Sequence, residues 1–112
     1  MYINDLVISK MEETLKIASD ATRIKILFCL LNELDVKEDN KHLIEKCVND
    51  IAVQIGASQS LVSHQLKVLK EGNFVKTRKE GTKVYYSLKD EHVYEIIKIT
   101  FEHVTEEGED HD

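Results

Sequence analysis

The stretch that most restricts what this chain can fold into is "VNDIAVQIGASQSLVSHQLKVLKEG", residues 48–72, followed at once by "NFVKTRKEGTKVYYSL", residues 73–88. The first part reads as a short helix, a glycine turn at Gly56, a serine cap at Ser58 and a second helix ending near Gly72. Ala52 is small enough for two helices to approach, Gly56 relieves the turn, and the branched Val62 can lock the second helix onto the first. The second part holds two alternating runs joined at Glu80-Gly81. Phe74, Val75, Val84, Tyr85 and Tyr86 supply strand propensity, and the Glu-Gly pair suits a tight hairpin.

A helix-turn-helix that runs directly into a two-stranded hairpin predicts a winged helix, with Arg78, Lys79 and Lys83 on the wing. The flanking segments add helices. Leu6, Val7, Met11, Leu15 and Ala18 recur at helical spacing over residues 4–18. Asp20 can cap a second helix in which Ile24, Ile26, Leu27, Leu30 and Leu31 form a broad apolar face, the expected central core helix. Residues 33–45 are polar and charged and are expected to form a loop. A last helix is expected from Asp90, with residues 108–112, "GEDHD", fraying beyond Glu107. The expected fold is therefore mainly α with a small β-hairpin, one domain over residues 1–107, and an acidic flexible tail over 108–112.

A chain of 112 residues that is 42% hydrophobic suits one modest core, which a homodimer would enlarge. No apolar run approaches the roughly 20 residues of a membrane span, and the expected location is the cytoplasm. Two cysteines without close spacing, Cys29 and Cys47, argue against a disulfide scaffold or a four-thiolate zinc knuckle. Cys29, within "RIKILFCLL", reads as core.

The net charge of -6 conceals an uneven distribution. Residues 58–83 carry six Lys or Arg against two acids, while residues 90–112 carry nine acids against Lys98 alone. A basic middle fits a phosphate-binding face, and the acidic end supplies carboxylates. On the second helix of the helix-turn-helix, Val62, Leu66 and Leu69 should point inward. That leaves Ser58, Gln59, Ser60, Ser63, His64 and Lys67 facing outward, hydrogen-bonding groups suited to base edges in a major groove, with the wing cations on phosphate.

The final helix carries a histidine near each end, His92 and His103, with Asp90 and Glu106 outside them. Eleven residues of ideal helix rise about 16.5 Å and turn only about 20° past three full turns. The two histidines thus share a face but cannot share an ion. They lie along the edge of the stripe Val93, Ile96, Ile97, Thr100, Phe101 and Val104, where a second helix would touch. If that helix is the same one from another protomer, antiparallel about a two-fold axis, residue 92 of one meets residue 103 of its mate. Each of two sites would gather Asp90 and His92 with the partner's His103 and Glu106. Two imidazoles and two carboxylates suit Zn(II), with Co(II) as a substitute. Set against this, Asp90 is also a good N-cap, and a single histidine is more often structural than ligating.

These residues resemble the ArsR/SmtB family of winged-helix metal-responsive repressors. "LKIASDATRIKILFCL" is similar to the family's second helix, "EKCVNDIA" to its metal-box region and "SQSLVSHQLKVLKEGNFVKTRKEGTKVYYSL" to its recognition helix and wing. Asp90-x-His92-x10-His103-x-x-Glu106 matches its C-terminal zinc motif. The resemblance implies a homodimer that binds double-stranded operator DNA without metal and releases it when Zn(II) fills intersubunit sites. It further implies that the second ring nitrogen of His103 passes strain to a backbone carbonyl around Asn73. Three departures stand out. Asn49 replaces the second metal-box cysteine beside Cys47 and Asp50, Ala21 stands where many relatives have proline, and the 33–45 loop is longer than usual.

Two other readings compete: a repressor sensing arsenite, cadmium or an oxidant through Cys47, and a winged-helix protein-interaction module that never touches DNA. An enzyme is not expected. No nucleophile with an adjacent base, no phosphate loop and no open three-ligand metal site is present, although His111 in the tail offers a further ligand.

Overall fold

The computed structural model describes residues 2–31 and 44–110, with the side chains of the last helix described as far as residue 106. Five helices and one hairpin follow in the order α1 (Asp5–Ala18), α2 (Ala21–Cys29), α3 (Val48–Ile55), α4 (Gln59–Glu71), β1 (Val75–Glu80), β2 (Lys83–Leu88) and α5 (Glu91–Asp110). Most of the expected loop over 33–45, and His111 of the tail, lie outside the described residues. The helical assignment continues through Asp110, past the Glu107 boundary expected from sequence.

Helix starts follow their capping residues. Asn4 accepts from the Val7 N–H at 2.9 Å, Asp20 from Arg23 at 3.1 Å, Ser58 from Leu61 at 3.2 Å and Asp90 from Val93 at 3.1 Å. Helix ends are as local. Gly56 closes α3 with φ 72°. At the end of α4 the Phe74 N–H bonds back to Leu69 at 2.8 Å and the Asn73 N–H to Lys70 at 3.1 Å. This is the Schellman pattern, with Asn73 in the left-handed position at φ 63°.

Helix α2 is shorter than its apolar run. The Leu30 N–H reaches the carbonyls of Ile26 and Leu27, and the Leu31 N–H that of Phe28, tightening the last turn and ending the helix at Cys29. Leu30 and Leu31 remain in the core although they are no longer helical. That core gathers Ile26 and Leu27 of α2, Ile51 of α3, Val62, Leu66 and Leu69 of α4 and Leu88 of β2, all fully buried. Burying such side chains stabilises the fold by about 1.5–3 kcal/mol each relative to leaving them in water.

The hairpin pairs Val75 with Leu88 through to Glu80 with Lys83. Its two-residue turn has a positive φ at Gly81. One feature had no sequence signal: Lys46 forms an isolated antiparallel bridge with Tyr86, exchanging both backbone hydrogen bonds at 3.0 and 2.8 Å. Its ammonium donates to the Cys29 carbonyl at 2.9 Å and to Gln54 Oε1 at 2.6 Å, so one residue ties α2, α3 and the hairpin together.

The outer helices differ from expectation. No residue of α1 is buried, and Leu6, Met11 and Leu15 are more than half exposed. Ile24, expected on the core face of α2, is 45% exposed. In α5, Val93, Tyr94 and Ile97 enter the core, whereas Ile96, Phe101 and Val104 stay exposed. An apolar cleft of about 470 Å³ results, lined by Leu15 of α1, Ile24 and Phe28 of α2, and Ile96, Phe101 and Val104 of α5. The Phe28 and Phe101 rings meet across it at 5.1 Å.

Candidate DNA interface and metal-ligand surface

Helix α4 stands on its inward residues Val62, Leu66 and Leu69 and turns the opposite side to solvent. Ser58, Gln59, Ser60, Ser63, His64 and Lys67 are all exposed, so the six expected contact residues occupy one open surface. Ser58 caps the helix, and its hydroxyl lies 3.4 Å from that of Ser60. The N-terminal end of α4, with its outward backbone N–H groups and partial positive charge, adds to an anion-attracting face. Gln59 does not hang free: its Nε2 donates to Asn49 Oδ1 of α3 at 2.8 Å.

On the wing, Lys79 and Lys83 are exposed and form no ion pair among the described residues. Arg78 is held differently. Its Nη2 donates to Glu45 Oε1 at 2.9 Å, its Nε to Glu45 Oε2 at 3.0 Å, and its Nη1 to Glu80 at 2.8 Å. The guanidinium also lies 4.9 Å from the Tyr85 ring centre, directly across the hairpin register. These hydrogen bonds raise the Arg78 pKa and hold the Glu45 carboxyl below its ordinary range. Arg78 is thus shared with two carboxylates, and the unpaired positive charge of the wing tip rests with the two lysines.

At the start of α5, Asp90 spends Oδ1 on the Val93 N–H, and its Oδ2 lies 3.8 Å from His92 Nδ1. The His92 ring is 94% exposed. His103 and Glu106 are exposed one turn apart near the other end. The structure brings Asp90 and His92 together, and keeps them on the same helix as, but apart from, His103 and Glu106. Among the described residues no three His, Cys, Asp or Glu side chains converge. The donor set still fits a divalent ion. Neutral imidazole nitrogens and carboxylate oxygens are ligands Zn(II) accepts, and Asp90 keeps one oxygen uncommitted by its cap.

Cys47 stands at the N-cap of α3, where its thiol donates to Asp50 Oδ2 at 3.2 Å. Burial raises the pKa of the other thiol, Cys29, against the opposing pull of the Lys46 ammonium. Asn73, the expected relay residue, is exposed at the end of α4.

The model of the family described as "Bacterial regulatory protein, arsR family" matches residues 44–77, the span from the Lys46 bridge through α3, α4 and the first half of β1. A cadmium resistance transcriptional regulatory protein CadC homolog from Staphylococcus aureus is 41% identical over 81% of this chain and 67% of its own length. The chain belongs to the arsR family. A transcriptional repressor SmtB homolog from Synechocystis is 33% identical over 87% of this ArsR-family chain and 65% of its own length. The chain thus spans about two thirds of the length of both relatives. In fold it is similar to the homodimeric winged helix-turn-helix DNA-binding domain of Mb0332 from Mycobacterium bovis, with a TM-score of 0.74 at 24% identity over 95% of this chain and 91% of that one. The relatives are transcriptional regulators, and this ArsR-family protein is a regulator rather than an enzyme. Among the described residues no helix is long and apolar enough to cross a membrane.

Sequence reasoning missed Glu45, Lys46 and the Asn49 contact. Each depends on a partner distant in sequence, and no periodicity or cap announces such pairs.

Proposed function

We propose that this ArsR-family regulator is a metal-responsive repressor that binds double-stranded operator DNA as a homodimer and releases it when Zn(II), or Co(II) in its place, binds between the C-terminal helices. The observation that carries this reading is the exposure of Asp90, His92, His103 and Glu106 on a helix that also leaves Ile96, Phe101 and Val104 uncovered. Closing the cleft of α1, α2 and α5 against a second copy would cover the exposed Leu15, Phe101 and Val104. Antiparallel pairing of α5 would then offer Asp90 and His92 of one protomer beside the partner's His103 and Glu106. A relative named for cadmium resistance and another named as a repressor support the general reading.

On DNA, Ser58, Gln59, Ser60, Ser63, His64 and Lys67 would meet the major groove while Lys79, Lys83 and the anchored Arg78 lie along phosphates. Asp90 and His92 of one protomer with the partner's His103 and Glu106 would hold Zn(II), which would supply a Lewis-acid link between the protomers. This chain's own residues would do the rest. His103 orients through its second ring nitrogen toward the backbone around Asn73, and Asn73 terminates the recognition helix. Release requires only that the metal favour the dimer form that does not fit DNA; a tenfold loss of affinity corresponds to about 1.4 kcal/mol of coupling. Operator DNA would place the protein in the cytoplasm.

The test is fluorescence anisotropy of duplex binding with and without stoichiometric Zn(II), for the wild type, H92A and H103A. Zinc should weaken binding only in the wild type. Equal responses in all three would remove the histidine pair as sensor and turn attention to Cys47. Absence of salt-sensitive duplex binding would instead favour a protein-interaction module.

A further inference from the structure

The contact between α3 and the first residue of the recognition helix carries information that neither helix holds alone. Asn49 is the second residue of α3, and Gln59 the first of α4. They are brought together by the left-handed turn at Gly56, and Gln59 Nε2 donates to Asn49 Oδ1 at 2.8 Å. Both side chains are otherwise exposed on the open face of the helix-turn-helix.

A primary amide has two N–H donors and one carbonyl acceptor. With Nε2 donating to Asn49 Oδ1, one donor of the Gln59 amide is directed toward α3. The second N–H and Oε1 are not used by that contact, and the side chain is exposed. An amide that presents one N–H and its C=O together complements adenine in the major groove, whose N7 accepts and whose N6 amino group donates. They do not complement guanine, which offers two acceptors there. An untethered glutamine could rotate its amide by half a turn or swing away, and would lose that freedom on binding.

We infer that Asn49 is a specificity-determining positioning residue: by holding Gln59 at the start of the recognition helix, it makes that glutamine a reader of adenine. The inference rests on the proposed DNA-binding function and deepens it. Asn49 itself need not touch DNA.

The experiment uses the full chain and duplexes selected by the wild type from a randomised pool, with each adenine of the selected site replaced in turn by guanine and by 7-deaza-adenine. For the wild type, one adenine per half-site should be sensitive to both replacements by about tenfold or more. N49A and Q59A should each lose that discrimination, and N49A/Q59A should lose no more than either alone. N49D keeps an acceptor for Gln59 and should retain the adenine preference, with lower overall affinity from its added charge. Non-specific binding and the salt dependence of N49A should match the wild type, which a folding defect would not allow.

The inference is overturned if N49A retains the wild-type preference while Q59A loses it, or if Q59A changes no base preference. It is equally overturned if the sensitive base is not adenine. In those cases specific DNA binding by the protein stands unharmed. A wild type that selects no duplex at all overturns both this inference and the function on which it rests.

Discussion

The Arg78 guanidinium grips both carboxylate oxygens of Glu45, a residue 33 positions earlier in the chain, at 2.9 and 3.0 Å. The pair pins the wing to the segment that enters α3, beside the Lys46 bridge to Tyr86. The wing is therefore presented to its target from a fixed base.

This pair has a pH signature. Arg78 lowers the Glu45 pKa in the folded protein below its ordinary value of 4.5. A depressed carboxylate pKa stabilises the fold above the unfolded value and ceases to do so as pH falls through the folded one. Wild type and E45Q should therefore differ in Tm at neutral pH, and the difference should disappear below the ordinary carboxylate range. Thermal unfolding from pH 7 to pH 3 measures it. A difference constant across that range would show that the contact acts through shape rather than charge.

Two left-handed residues end the two helices of the helix-turn-helix. Gly56 has φ 72° with no atom within 4 Å of where a Cβ would sit, so G56A should cost about 1–2 kcal/mol through backbone strain alone. Asn73 has φ 63°, and N73G should be neutral or mildly stabilising, whereas the β-branched N73V should destabilise. Urea unfolding of the three variants gives the ranking.

The two thiols should separate cleanly. Cys29 is 5% exposed with its pKa raised by burial, whereas Cys47 is only partly buried at the start of α3. A thiol-reactive chromophore at pH 8 should label one cysteine rapidly and the second only in denaturant. C47S should abolish the fast phase.

Charges placed in the apolar cleft should report on assembly. L15E or V104E puts a carboxylate where the side chain is already more than half exposed, so the single chain should fold much as before. If the cleft is the homodimer surface, sedimentation should show monomer for these variants and dimer for the wild type. Dimerisation unaffected by both changes would locate the interface elsewhere.

Much of the fold was legible because its signals are local. Asp20 and Ser58 announce helix starts, Gly56 a turn, and the Glu80-Gly81 pair a hairpin, each through the chemistry of a few neighbouring residues. The inward set Val62, Leu66 and Leu69 was equally legible from helical spacing. The end of α2 was not, because an apolar run continues into the core after the helix has stopped at Cys29. Periodicity records which side chains avoid water, not whether the backbone is still helical. The candidate contact residues of α4 could be named, but the pairing of Gln59 with Asn49, and that of Arg78 with Glu45, depends on tertiary structure. At α5 the spacing of His92 and His103 told in advance that one chain cannot bring them together.

The absence of any buried residue in α1 has a further consequence. A helix of 14 residues that packs against the core only through Ile17 and Ala18 at its end is marginal in water, even with Asn4 capping its start. If a second copy covers the exposed Leu6, Met11 and Leu15, helix formation in α1 obeys mass action, and far-UV circular dichroism should gain helical signal as protein concentration rises. Abundance in the cell would then set not only how many regulators are available but how much of each one is folded.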